Sequence, residues 1–292
     1  MTTELRYAVG RLHATHGQVV LLPASAVPEG WVAGRFSVLS PGTERRHLLG
    51  PGRDAGYMSL GLVDDGRWLL APVPHGAAFT PDCPGMVRAP DGAPVQVAAV
   101  ARFIQIALLG LDRLPPGSVA DEAVVIGSGP VAVGCALELL RRGVKRIVVV
   151  TGRRYPPIRS VPGVVCTNHL DQQAGLVIDA TGEPGRAVPL LAPGAVLGLL
   201  GTPENTASLP VLPLHRSGVT VVGMHELATS SPEAYQAAYT TAASWLDGRL
   251  TLRLVASWCR IVPGERAPEV YRLLNSPARP AEPFLLFDWG AS

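Results

Sequence analysis

The sequence predicts a mixed α/β protein in which a compact β module precedes a doubly wound parallel sheet. Three observations carry that expectation. The apolar run Ala123 to Ile126 ends in Gly127-Ser128-Gly129-Pro130-Val131-Ala132, and an amphipathic segment from Val133 to Arg142 closes at Gly143. A second β-branched run follows from Ile147 to Val150, so strand, tight turn, helix and strand succeed one another in about the 30 residues a βαβ unit needs. The first 100 or so residues read differently, as short β-rich runs between Gly, Pro and His-Gly turns.

In chain order, Arg6 to His13, Gln18 to Pro23 and Trp31 to Leu39 are the first expected strands. Pro41 to Asp54 is polar and reads as turns; Gly56 to Val63 and Arg67 to Val73 are further strands. Pro81 to Pro94 is proline-dense and reads as a surface loop, whereas Val95 to Leu111 has apolar residues at helical spacing and reads as one continuous helix. Beyond Tyr155 the α/β alternation continues in trimmed form. Leu176 to Ala180, Ala195 to Leu200 and Val219 to Val222 are strands. Pro156, Pro157 and Pro162 rule out a full crossover helix between the second and third strands. Ser231 to Asp247 is a helix, Leu250 to Ile261 a strand, Ala267 to Leu274 a short helix and Pro283 to Trp289 a final strand. The expected domains are residues 1–105, 106–248 and a C-terminal return over 249–292.

Composition narrows the function classes. A hydrophobic share of 47% with 16% charged residues describes a chain that buries a large core. A net charge of +2, without a basic stripe interleaved with aromatics, gives no reason to expect nucleic acid. No apolar run reaches the length of a membrane helix, and no charged-then-apolar leader opens the chain. Cys83, Cys135, Cys166 and Cys259 lie far apart, without metal-type spacing, and read as buried free thiols. The expectation is a cytoplasmic protein with a small-molecule substrate, a homodimer being the one assembly considered.

The glycine turn points to a dinucleotide. Gly127 permits the turn, Gly129 lets the backbone approach a pyrophosphate, and the small Ala132 allows close packing of helix on strand. The helix beginning Pro130-Val131 offers free N–H groups and a positive dipole end to the phosphates, beside Ser128. The second strand ends in Thr151-Gly152-Arg153-Arg154. An acid there would bond the ribose hydroxyl of NAD. Two guanidiniums suit the 2′-phosphate of NADP, so the expected cofactor is NADPH/NADP⁺. Ligands in open parallel sheets bind beyond the carboxyl ends of strands, which adds Ala180, Thr181, Gly201, Met224 and His225 to the expected cofactor neighbours.

The chain as a whole resembles the medium-chain dehydrogenase/reductase superfamily. The resemblance rests on Ser40-Pro-Gly-Thr43-Glu44, Gly56-Tyr-Met-Ser-Leu-Gly61, Gly127 to Ala132, Asp179-Ala-Thr-Gly182 and Pro268-Glu-Val-Tyr271, in this order and spacing. It implies a GroES-like β module joined to a Rossmann domain, and is strongest to a zinc-free branch that includes bacteriochlorophyllide dehydrogenase-like proteins. Where zinc members of the superfamily carry their ligands, this sequence aligns Pro41, Tyr57 and Arg102, which do not make a zinc site. The resemblance thus implies no metal.

Without a Lewis acid, side-chain donors must stabilise developing charge on a hydride acceptor. Thr43 matches the proton-relaying hydroxyl of zinc members, Tyr57 places a phenol where a ligand stood, and Arg102 supplies a fixed positive charge. Bland alternatives stand beside each: a turn cap for Thr43, pocket filling for Tyr57, and an ion pair with Glu44 for Arg102. His75 reads as a core or turn histidine and His225 as a cofactor neighbour. The activity expected is zinc-independent, NADPH-dependent ketone–alcohol interconversion, on a ring ketone of specialised metabolism. Conjugate C=C reduction and a non-catalytic NADPH-binding sensor or interaction protein are the alternatives.

Overall fold

In the computed structural model, residues 7–8, 11–23, 25–48, 52–203, 206–226, 231–274, 276 and 278–290 are described. Residues 6, 9 and 10 of the first expected strand lie outside them. Strand β1 (Arg11–Thr15) turns through His16 and Gly17, at φ 45° and 82°, into β2 (Gln18–Leu22). Positive φ at both corner residues matches the twist of a tight hairpin, which is why a Gly sits there. Strand β3 (Phe36–Leu39) leads into helix α1 (Pro41–Leu48), followed by β4 (Ser59–Leu62) and β5 (Trp68–Ala71).

Helix α2 (Val95–Leu111) opens the middle of the chain as the apolar spacing requires. Then come β6 (Glu122–Ile126), α3 (Pro130–Arg141), β7 (Arg146–Val150), β8 (Val164–Thr167), β9 (Ala174–Asp179) and β10 (Leu191–Leu199). The chain continues through α4 (Val211–Arg216), β11 (Thr220–Gly223) and α5 (Pro232–Arg249). It closes with α6 (Leu252–Ser257), β12 (Cys259–Pro263), α7 (Ala267–Leu273) and β13 (Phe284–Asp288).

Two of these elements differ from the sequence expectation. Residues 41–48 are helical, not a string of turns, because Glu44 reaches back to accept the Ser40 N–H at 2.8 Å and so satisfies a donor at the helix start. Leu250 to Ile261 is not one strand. Thr251 caps α6 by accepting the Leu254 amide at 3.3 Å, and the strand begins only at Cys259. Of the cysteines expected to be buried, only Cys135 is. Cys83, Cys166 and Cys259 are half-buried, and all four are free thiols.

The chain divides into two units. One comprises Met1–Ala99 with Arg249–Ser292, the other Val100–Gly248. In the first unit, β12, β13, β3, β4, β5 and the short strand Val87–Arg88 form one sheet, in which β12 and β13 run parallel and every other neighbour is antiparallel. The C-terminal return is thereby hydrogen-bonded into the β module. Its core gathers Leu12, Leu39, Tyr271, Leu285, Phe287 and Trp289.

The second unit carries a parallel sheet in the order β8-β7-β6-β9-β10-β11. Strand order therefore reverses between β6 and β9, the position at which such sheets open a crevice beyond the strand ends. Buried apolar runs on β6, β7, β9 and β10 suit a sheet covered on both faces. The crossovers are as trimmed as the prolines require. Only 3₁₀ turns, Pro157–Ser160 and Pro184–Leu190, follow β7 and β9. Gly134 explains how α3 lies so close to α2: a Cβ there would come within 2.2 Å of the Phe103 carbonyl oxygen. Among the described residues, no helix is long and apolar enough to cross a membrane.

Candidate functional site

The carboxyl ends of β6, β7, β9 and β10 converge on the glycine turn. Gly127 leaves β6 at φ 112°, a conformation open to Gly and strained for other residues. Its α-carbon is closely backed by the next turn: a Cβ would lie 3.0 Å from Thr181 Cγ2. Gly129 starts α3, and a Cβ on it would meet nothing within 4 Å, so the space beside this backbone is open. Pro130 takes the first helical position, where its missing N–H is harmless, and no side chain caps the helix start. Val131, between buried Pro130 and Ala132, is half-buried.

A hydroxyl pair locks the first two strand ends together. Ser128 Oγ and Thr151 Oγ1, both buried, are 2.7 Å apart, and Thr151 Oγ1 also accepts the Arg153 amide at 3.2 Å. Beyond Thr151 the chain reaches an exposed aromatic flanked by cations. The guanidinium carbons of Arg154 and Arg159 lie 5.1 and 5.4 Å from the Tyr155 ring centroid. Arg153 is half-buried and Arg154 exposed. Pro156 and Pro157 turn the chain so that Arg159 returns beside Tyr155, a cation that the sequence reading of Thr151 to Arg154 left out.

Behind the glycine turn, Asp179 organises the end of β9. Its Oδ1 accepts the Thr181 amide at 2.9 Å and the Thr181 hydroxyl at 2.6 Å, while Oδ2 is buried without a hydrogen-bond partner among the described residues. Ala180 donates its amide to the Ile126 carbonyl at 3.1 Å, tying this turn to the end of β6. Gly201, at the end of β10, has no room for a side chain, since a Cβ would stand 2.5 Å from the Gly182 nitrogen. At the end of β11, Met224 is buried and packs its sulfur over Gly198, whereas His225 is exposed. Met224 thus serves the core of this unit through its side chain.

The donors expected to replace a metal fall in both units. Thr43 on α1 and Tyr57 after Gly56 are half-buried residues of the first. Arg102 belongs to the second and is buried on α2, where it makes a forked pair with Glu226 at 2.6 and 2.8 Å. It also donates to Gln105 at 2.8 Å and lies over the Tyr235 ring at 5.1 Å. Its ion-pair partner is therefore Glu226, not Glu44. Glu44 is instead taken by His75 and Tyr271 within the first unit. Among the described residues, no group of three His, Cys, Asp or Glu side chains is gathered as a set of metal ligands.

No protein-family model matches the chain. It is 27% identical over 179 residues to D-altritol 5-dehydrogenase of Agrobacterium fabrum, a match covering 56% of this chain and 52% of that protein. The chain thus spans about half the length of the curated relative it matches. Among solved structures it resembles galactitol-1-phosphate dehydrogenase from Escherichia coli, with a TM-score of 0.72 and 16% identity over 96% of this chain and 99% of that one. It also resembles the yhdH oxidoreductase from Salmonella enterica in complex with NADP, with a TM-score of 0.67 and 18% identity over 97% and 99% of the two chains.

The fold is that of the medium-chain alcohol dehydrogenases. Within this medium-chain fold the Asp179 turn sits directly behind the glycine loop, and its electrostatics are testable. Burial pushes the Asp179 carboxyl above the ordinary aspartate range, against the pull of the two Thr181 bonds. A carboxyl raised in the folded state stabilises the fold only while protonated. That contribution is present below the ordinary aspartate value and is lost as pH rises through the raised one. Asp179→Asn keeps an acceptor for Thr181 and removes the charge. Thermal melts should show the variant gaining stability over the parent at pH 7, with the gain shrinking towards about pH 4. A gain that grows on acidification would contradict the assignment.

Proposed function

We propose that this protein is a zinc-independent, NADP(H)-dependent oxidoreductase that moves a hydride between nicotinamide and the carbonyl carbon of a small ketone, or the matching alcohol. The observation that carries the reading is the joint between the ends of β6 and β7. There the Ser128–Thr151 hydroxyl pair fixes the glycine loop against a strand end that carries Arg153, Arg154 and, returning, Arg159.

The residues present fit NADP(H). Open space beside Gly129 and the uncapped start of α3 suit a pyrophosphate. The guanidiniums suit a 2′-phosphate, and no carboxylate stands at the end of β7 to compete for the ribose. When bound, the cofactor supplies or accepts the hydride. The chain's own residues then hold the substrate oxygen: Tyr57 donates a hydrogen bond and, on reduction, a proton, and Thr43 relays that proton through its hydroxyl. Arg102 is not assigned to the substrate in this reading, because its guanidinium is already forked onto Glu226. Proline at 41 and tyrosine at 57 offer no metal-binding set, which supports a mechanism by side-chain donors.

Calorimetry provides the test. NADPH should bind at least about tenfold more tightly than NADH, a margin of about 1.4 kcal/mol. Replacing Arg153 and Arg154 together with Ala should erase most of that margin and leave NADH affinity nearly unchanged. Equal affinities in the parent protein would remove the basis for NADP(H). A parallel screen of NADPH oxidation with cyclic ketones and activated alkenes separates carbonyl reduction from C=C reduction.

A further inference from the structure

The first unit holds a polar network almost wholly cut off from solvent. His75 and Ser37 are fully buried, and Glu44 and Tyr271 are nearly so. Nδ1 of His75 lies 2.7 Å from Ser37 Oγ, and Nε2 lies 2.9 Å from Glu44 Oε2 and 3.1 Å from the Tyr271 hydroxyl. Tyr271 donates to the same Glu44 oxygen, while Glu44 Oε1 accepts the Ser40 amide at 2.8 Å. Trp289 Nε1 donates to Ser37 Oγ at 2.7 Å.

One hydrogen arrangement satisfies all of these atoms. Ser37 accepts from Trp289 and gives its own hydrogen to Nδ1, so Nε2 keeps its hydrogen and donates to Glu44. A buried carboxylate of this kind is a poor way to gain stability, since well-packed apolar residues do as well or better. Its distinguishing property is direction, because a hydrogen bond fixes both the distance and the angle between its partners.

That direction bears on two residues of the site. Glu44 immediately follows Thr43 on α1. Gly56 immediately precedes Tyr57 and lies against the Cγ and Cδ2 atoms of the His75 ring, so closely that a Cβ would stand 2.5 Å from each. The His75 amide also donates to the Ala55 carbonyl at 2.9 Å. One imidazole thus touches the chain neighbour of each proposed donor. We propose that His75 is the positioning residue that sets Thr43 and Tyr57 relative to one another, holding α1 through Glu44 and the Tyr57 segment through Gly56. This rests on the reading of Thr43 and Tyr57 given above.

Amide hydrogen exchange on the full chain tests the positioning without needing a substrate. The reporters are the amides of Glu44, bonded to the Ser40 carbonyl at 3.0 Å, and Ala55, bonded to the Leu12 carbonyl at 2.7 Å. His75→Asn shortens the side chain away from Glu44, whereas His75→Gln can still place a donor near the Nε2 position. Phe287→Leu is the control: Phe287 packs edge-on against His75 at 5.2 Å and holds none of its hydrogen bonds. In His75→Asn, exchange should quicken by about tenfold at Glu44 and Ala55 together, while His75→Gln should restore both. Acceleration spread over the whole unit, matching Phe287→Leu at equal loss of Tm, would mean ordinary packing and overturn the proposal. So would acceleration at only one reporter. NADPH turnover separates the two readings. If the exchange result holds but Tyr57→Phe and Thr43→Val keep full activity, the donor assignment fails and the coupling of the two segments stands.

Discussion

Tyr57→Phe is expected to lower kcat by roughly a hundredfold or more while NADPH affinity and Tm change little. Losing one preorganised donor at a developing oxyanion costs about 2.7 to 4 kcal/mol in the chemical step. Phenylalanine keeps the ring and removes only the hydroxyl, so a tyrosine that merely fills space would tolerate the change with full activity. Tyr57 is half-buried and follows the φ 90° turn at Gly56, just before β4 of the first unit. Steady-state kinetics on whichever ketone or alkene the screen selects, with calorimetry on NADPH, separates the outcomes. A fall in kcat without loss of cofactor binding supports Tyr57 as the donor. Wild-type kcat in Tyr57→Phe and Thr43→Val together would leave the reaction without its proposed donors.

Glu226→Ala is expected to destabilise the protein by about 3 to 5 kcal/mol, read as a lower urea midpoint at unchanged slope. The Arg102 and Glu226 side chains are only 9% and 12% exposed, so removing the carboxylate leaves a guanidinium largely cut off from water. The same α2 segment is stitched to the end of β11 at other points. Arg113 Nε donates to the Gly223 carbonyl at 2.9 Å, and Gly110 lies where a Cβ would meet the Met224 carbonyl oxygen at 2.8 Å. Removing both charges, as in Arg102→Met with Glu226→Leu, should cost clearly less than Glu226→Ala alone, because no buried charge is stranded. If Arg102 instead reserved its charge for a substrate, Glu226→Ala would leave stability almost intact and shift KM. A double-mutant cycle with both measurements distinguishes the roles.

What the sequence determined alone is local. The β6–turn–α3–β7 unit was legible because its apolar periodicity, glycine spacing and helix start are all set within about 30 residues of contiguous chain. The trimmed crossovers were legible for the same reason, since proline acts on its own backbone. Helix α1 was not legible. Its acid, Glu44, read as a possible partner of Arg102, whereas His75 and Tyr271, 31 and 227 residues away, are the groups brought against it. Arg102 likewise read as a charge for the substrate or as the partner of Glu44, because its actual partner, Glu226, lies 124 residues further on. Arg159 escaped because a proline turn, and not a spacing rule, returns it to Tyr155. Periodicity and turn chemistry are properties of neighbouring residues, whereas the partner of a buried charge is set by which distant strands pack together. The tertiary structure therefore decided that Arg102 is held by Glu226, and that His75 touches the chain neighbours of both Thr43 and Tyr57.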